Sequence, residues 1–409
     1  MRRGKVVVFA IIAACVCLSA VPSGASSARV VLGWNFGSQT STYLAQDARA
    51  PGLNTVSPGW WKLLSNGTVE DDANGQYTTW AHAHGKRVWP MFTNDLDQTS
   101  SRRAMTDPAL RARVILAVRD LALQYGADGI NIDWENLATA DRDAFSAFVR
   151  QAAATWHTSG LTVSVDITAR TDYWQLGNWS ESFDQGALGA AADYLVLMAY
   201  DEHNRLRPDG PTASLPWVED SIRYLLRTTP ANKIILGVPF YTNDWDDTTK
   251  QASVITFAQT PAHISAHHMA VRWDTRAGSN VATYTLAGRT HHMWFEDARS
   301  LSLKAALVGK YGLAGVAAWR IGFETPEAWR AIEAAPFASS APATPAKTIA
   351  TTKAPTPAPA TPSRTQVAAA SLPPARPASG HSSWPLVAVV GALIVAGGGV
   401  FASRRVKRA

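Results

Sequence analysis

The chain has 409 residues, 46% hydrophobic and 17% charged, with a formal net charge of +6 and two cysteines. The charge is unevenly placed: residues 1–28 and 337–409 hold eleven basic residues and no acid, leaving 27 basic against 32 acidic residues over 29–336. The basic surplus therefore belongs to the ends, and a nucleic-acid-binding surface is excluded as its meaning.

Arg2, Arg3 and Lys5 precede an apolar run, Val6 to Val21, and then small residues through Ala28. Residues 1–28 are expected to be a secretory signal peptide. Cys15 and Cys17 both lie in it, so the mature domain would have no disulfide and need an ordinary core. Ile12-Ala-Ala-Cys15 also resembles a lipoprotein cleavage box, but the apolar run continues past it.

From residue 29 short β-branched runs alternate with longer amphipathic ones. Candidate strands are Val30–Trp34, Asn54–Ser57, Arg87–Phe92, Gly129–Glu135, Leu161–Ile167, Tyr194–Tyr200, Ile234–Phe240 and Gly315–Trp319. Asp107-Pro108 reads as a helix cap with first-turn proline, followed by Leu110, Val114, Val118 and Leu121 at helical spacing and a stop at Gly126. Asp141 to His157 before Gly160, and Asp297 to Tyr311 before Gly312, repeat the pattern. Eight strands, each followed by helical material, within residues 29–336 predict a (β/α)8 TIM barrel of class α/β. A doubly wound sheet is the rival, but Trp34-Asn-Phe-Gly37 is no phosphate loop.

One connection is long. Val271–Asp274, Val281–Leu286 and Thr290–Phe295, joined by glycine turns, predict a small β-rich insertion after the seventh strand, at about 245–296. Residues 337–383 are rich in Ala, Pro, Thr and Ser and read as an extended linker. Residues 384–403 hold a 19-residue uncharged stretch, Trp384 to Ala402, close to the ~20 residues that cross a bilayer. The basic tail at 404–409 would stay in the cytoplasm. Leu372-Pro-Pro-Ala-Arg lacks the Thr-Gly of a sortase signal, so a simple membrane anchor is preferred. The expected protein is exported and held at the outer face of the cell membrane.

Side chains alternate faces along a strand, so Asn131, Asp133 and Glu135 share one side and Ile130, Ile132 and Trp134 the other. In a barrel the apolar side would pack under helices and the polar side would face the mouth. With Asp133 ionised, Glu135 would hold its proton longer, which suits a general acid. The bland alternative is a solvated antiparallel strand, which the barrel context disfavours.

Asp128-Gly-Ile-Asn-Ile-Asp-Trp-Glu135 resembles the Asp-Gly-x-Asp-x-Asp-x-Glu signature of glycoside hydrolase family 18, the chitinase-like retaining glycosidases. Met198-Ala-Tyr-Asp201, Gly237-Val-Pro-Phe-Tyr241 and Ala317-Ala-Trp319 are similar to its segments at strands six, seven and eight. The resemblance implies substrate-assisted hydrolysis of β-1,4 bonds in N-acetylglucosamine polymers, without cofactor or metal. Glu135 would be the acid and base, Asp133 would hold the acetamide N–H, and Tyr200 would donate to its oxygen. Trp319 would floor the site, and Asn131, Met198, Asp201 and Tyr241 would line it. Asn131 stands where the common pattern has Asp; losing that partner should let Asp133 ionise more easily. Asn here, with Trp294-Phe-Glu-Asp297, resembles a branch acting on bacterial wall and spore-cortex glycan. A catalytically silent lectin is the alternative, disfavoured because Glu135 is present.

Of the other tryptophans, Trp34, Trp60, Trp61, Trp89, Trp174 and Trp294 fall near strand ends or cleft loops; Trp34 is counted among the sugar-binding residues, though packing is the commoner role. His267-His268 and His291-His292 lack the i, i+4 spacing and third ligand that zinc requires. The protein is expected to be a monomer.

Overall fold

The computed structural model describes residues 29–335, apart from 37–39 and 206. The expected signal peptide, linker, membrane anchor and basic tail lie outside the described residues. Among the described residues no helix is long and apolar enough to cross a membrane.

Eight parallel strands close into a barrel: β1 (Val30–Asn35), β2 (Thr55–Leu63), β3 (Met91–Thr93), β4 (Gly129–Asp133), β5 (Thr162–Thr168), β6 (Tyr194–Met198), β7 (Ile234–Pro239) and β8 (Gly315–Trp319). Closure comes from β8 pairing with β1, Val30 opposite Gly315, and from β1 pairing with β2. This is the predicted (β/α)8 architecture. The expected third strand is cut by Pro90, which lacks a ladder N–H. Arg87–Val88 pairs with Thr55 and Val56, and pairing resumes at Met91.

The helices start and stop largely where the sequence placed them. The Asp107 carboxylate accepts from Ala109 N (2.9 Å) and Leu110 N (3.1 Å) and opens Pro108–Gln124. Asp297 and Ser300 form a capping box for Ala298–Tyr311, and Gly312 ends it at φ 65°. Asp141 departs from its expected role: it makes no cap for Arg142–His157 and instead binds Arg102 Nε at 2.8 and 3.0 Å.

The insertion is a separate antiparallel sheet of five strands, in the order Gln251–Thr256, Tyr241–Asp246, Arg289–Phe295, Ser279–Leu286 and Ala270–Asp274. It begins immediately after β7, earlier than expected, and has a small core of Met269, Ala282, Tyr284, Met293 and Phe295.

Candidate active site

The alternation in β4 works as expected. Ile130, Ile132 and Trp134 are fully buried, and Trp134 stacks on Phe148 of the following helix with centroids 4.5 Å apart. On the other face Asn131 crosses the barrel interior. Its Oδ1 accepts from Trp34 Nε1 (2.9 Å) and Ser57 Oγ (3.1 Å), and its Nδ2 donates to Ser164 Oγ (3.0 Å) and Asp166 Oδ1 (2.7 Å). One amide thus ties together β1, β2, β4 and β5.

Asp133 ends β4, and Glu135 lies half-buried just beyond it at the C-terminal mouth. The strand stops two residues earlier than expected because the Asn94 side chain replaces the ladder. Asn94 Oδ1 accepts from Glu135 N (3.0 Å), and Asn94 Nδ2 donates to Glu135 O (2.8 Å). Asn136, at φ 53°, then turns the chain away. Glu135 is therefore held by a clamp on its backbone, and its side chain is left for chemistry.

Around these acids stand aromatic residues from the other strand ends. Tyr200 follows β6 and Tyr241 follows β7, with ring centroids 6.3 Å apart. Trp319 ends β8, half-buried, 5.7 Å from Trp34. Gly237 makes room: a Cβ there would meet Leu197 O at 2.7 Å and the Tyr200 ring at 3.3 Å. The Tyr241 hydroxyl donates to Asp201, and Met198 is nearly buried beside them. The Tyr200 hydroxyl is buried and has no hydrogen-bond partner among the described residues.

Burial and mutual repulsion raise the acids. Asp133 is pushed up to about 7 by burial. Glu135 is driven well above the usual glutamate range by burial and then by the charges of Asp133 and Asp201. Tyr200 is also raised, by burial and then by nearby acids led by Asp166, so it remains a hydroxyl donor. Glu135 feels more opposition to ionising than Asp133 does, so Asp133 is the first of the pair to carry charge.

Two expectations need correction. Trp34 and Asn131 were placed among the sugar-contacting residues, yet both are 0% exposed. Trp34 spends its indole N–H on Asn131 and Asp166 and backs Trp319 from within the barrel. Even with an amide at 131, burial by itself raises Asp133 to about 7. The barrel also keeps an acid the sequence reading missed, Asp166 on β5, 1% exposed and raised well above the usual range by burial and Asp133. The signal was present: Ser164, Asp166 and Thr168 alternate with Val163, Val165 and Ile167. Trp60, Trp61 and Trp89 are buried in the core, whereas Trp174 and Trp294 are half-buried. Of the histidine pairs, His267 stacks on Tyr284 and His291 faces Asp244 at 3.4 Å.

Residues 34–324 match the family model described as "Glycosyl hydrolases family 18". The chain belongs to glycosyl hydrolase family 18. It is 29% identical over 304 residues to the cortical fragment-lytic enzyme of Bacillus subtilis (strain 168), covering 72% of this chain and 70% of that one. Among solved structures it resembles a chitinase from Chromobacterium violaceum, at TM-score 0.70 and 28% identity, covering 75% of this chain and 98% of that one. The spore cortex-lytic enzyme SleL of Bacillus megaterium shares the fold at TM-score 0.67 and 24% identity, with 75% and 73% covered. This family 18 protein is a glycoside hydrolase.

Proposed function

We propose that the enzyme hydrolyses β-1,4 bonds next to N-acetylglucosamine in bacterial wall glycan or chitin, with retention, using the substrate's own acetamide as nucleophile. The observation that carries this reading is the buried Tyr200 hydroxyl, without a hydrogen-bond partner among the described residues, beside two acids that hold protons unequally. A retaining glycosidase ordinarily uses a second carboxylate as the nucleophile. Here the 2-acetamido oxygen would attack the anomeric carbon while Glu135 protonates the departing glycosidic oxygen. Tyr200 would donate to that acetamide oxygen. Asp133, ionised, would accept from the acetamide N–H and stabilise the oxazolinium charge. Glu135 would then take a proton from the water that opens the ring, and Trp319 would offer its face to the sugar. The relatives named for cortical-fragment lysis and for chitinase activity support the substrate class.

The test is NMR of the first products from N-acetylglucosamine oligomers and from purified peptidoglycan. Initial release of the β anomer is expected, with no turnover by Glu135→Gln. Initial α product would overturn the acetamide-assisted route. Release of neither, with binding intact, would favour a lectin.

We propose further that the enzyme is exported and tethered by residues 384–403 with its catalytic domain outside. The basic and apolar leader, the uncharged 19-residue stretch and the basic tail support this reading. Fractionation of expressing cells should find the full chain in membranes, and a chain ending at 336 in the medium.

A further inference from the structure

The mouth of the barrel is acidic, with Asp133, Glu135 and Asp201 gathered at the strand ends, yet cations border it on one side. After β6 the chain runs through Arg205 and Arg207, and both lower the pKa of Asp201 through their charge. Arg207 is half-buried, with its guanidinium 5.1 Å over the Trp174 ring, and has no carboxylate within ion-pair distance among the described residues. The charge of Asp201 acts on this guanidinium from beyond ion-pair distance and only partly offsets its desolvation, and its planar fork matches a carboxylate.

Arg207 opens onto a groove of about 420 Å³ between this loop and the insertion, lined also by Arg205, Lys250 and Trp245. Three acids share the groove, and two are occupied elsewhere. Asp246 holds Arg289 (2.7 Å) and caps Thr248 N (2.8 Å), while Asp247 meets His292 Nε2 at 2.8 Å. Asp209 is exposed. Trp245 is 3% exposed, and its indole N–H, buried, has no partner among the described residues. A guanidinium with no carboxylate at ion-pair distance among the described residues thus faces a concavity that the Trp245 side chain also helps to line.

We propose that this groove is an anion subsite, with Arg207 at its centre, that binds a carboxylate carried by the glycan. The inference rests on the hydrolase reading above and sharpens it. A neutral N-acetylglucosamine chain offers no such group, whereas wall glycan offers two: the lactyl ether carboxylate of muramic acid and the carboxylates of attached peptides. The shared chemistry is a carboxylate at the edge of a bound sugar chain.

The experiment measures binding by calorimetry with the full chain as Glu135→Gln, which prevents turnover. Four probes are compared: neutral N-acetylglucosamine oligomers, peptide-free wall strands, the same strands with their carboxylates amidated, and peptide-bearing strands. The peptide-free strand is expected to bind about tenfold more tightly than its amidated twin, the scale of one charge-assisted contact. Adding Arg207→Gln should bring that ratio close to one while leaving the neutral oligomers' affinity much less changed. A preference seen only with peptide-bearing strands, and lost with Arg207→Gln, supports the subsite and assigns its ligand to the peptide. Equal binding of free and amidated strands overturns the proposal. So does an equal loss on all four probes, which would mean that Arg207 serves only to balance Asp201. Failure of the unmutated protein to cleave any of these glycans would count against the hydrolase reading alone, because the binding ratio is measured independently.

Discussion

Two groups of buried acids in the molecule are treated in opposite ways. In and beside the insertion each buried acid has a cation or strong donor. Glu296 and Lys304, 2% and 0% exposed, pair at 2.6 Å, and Asp244 takes the Tyr284 hydroxyl at 2.5 Å with His263 and His291 at 3.5 and 3.4 Å. In the barrel mouth the opposite holds. What acts on Asp133, Glu135 and Asp166 is burial, neutral donors, one another and, on Glu135, the charge of Asp201. An acid that holds the fold together is matched, because an unmatched buried charge costs stability. An acid that must exchange a proton is left unmatched, so its proton stays available near neutral pH.

That contrast can be broken by mutation. Asp133→Asn, which removes an unmatched acid, is expected to lower kcat by about two to four orders of magnitude in an oligomer assay, the range for losing a positioned charge or proton-transfer group. The same variant should melt at a higher temperature than the native chain at pH 8. A lower melting temperature would mean that Asp133 is structural after all. Lys304→Ala, which strands a matched acid, should cost about 3–5 kcal/mol in urea unfolding. The fraction that remains folded should keep its kcat within about twofold.

The pH dependence sharpens the same point. The barrel acids have folded pKa values raised above their unfolded ones, so the folded state binds more protons as pH rises past the unfolded values. Stability from these groups is therefore full below about pH 4 and declines as pH rises through 7. Asp133 contributes to that decline because burial raises it above its unfolded value. Asp47, pushed up to about 6 by burial, adds to it in the same direction. Chemical denaturation at pH 5 and pH 8 should show the decline, and Asp133→Asn should flatten it. The smallest effect is expected from Asn94→Ala, which releases the backbone clamp on Glu135. It should lower kcat about tenfold and cost about 1–3 kcal/mol, the scale for leaving buried backbone groups unpaired.

Much of the site was legible because strand alternation is a local rule. It placed Asp133 and Glu135 on the inner face and Trp134 under the helix, and it would have flagged Asp166 had it been applied to Thr162–Thr168. Asn94 carried no comparable signal, since a loop amide gains meaning only when β4 lies beside it. Tyr241–Asp246 was missed as a strand because Asn243, Asp244 and Asp246 are poor strand formers. Pairing on both sides, with Gln251–Thr256 and Arg289–Phe295, overrides that preference. Asp141 looked like a cap, and Arg102, 39 positions earlier, claimed it.

By itself the sequence determined the eight-strand count, the helix ends and which acids could face a common mouth, because periodicity and capping depend on neighbours in the chain. Only the tertiary structure decided which of those polar groups find partners. It took Trp34 and Asn131 into the interior, brought Asp166 close to Asp133, and, among the described residues, left the Tyr200 hydroxyl without a hydrogen-bond partner and the Arg207 guanidinium without a carboxylate at ion-pair distance. Partnership and desolvation depend on atoms far apart in sequence that meet when the barrel closes.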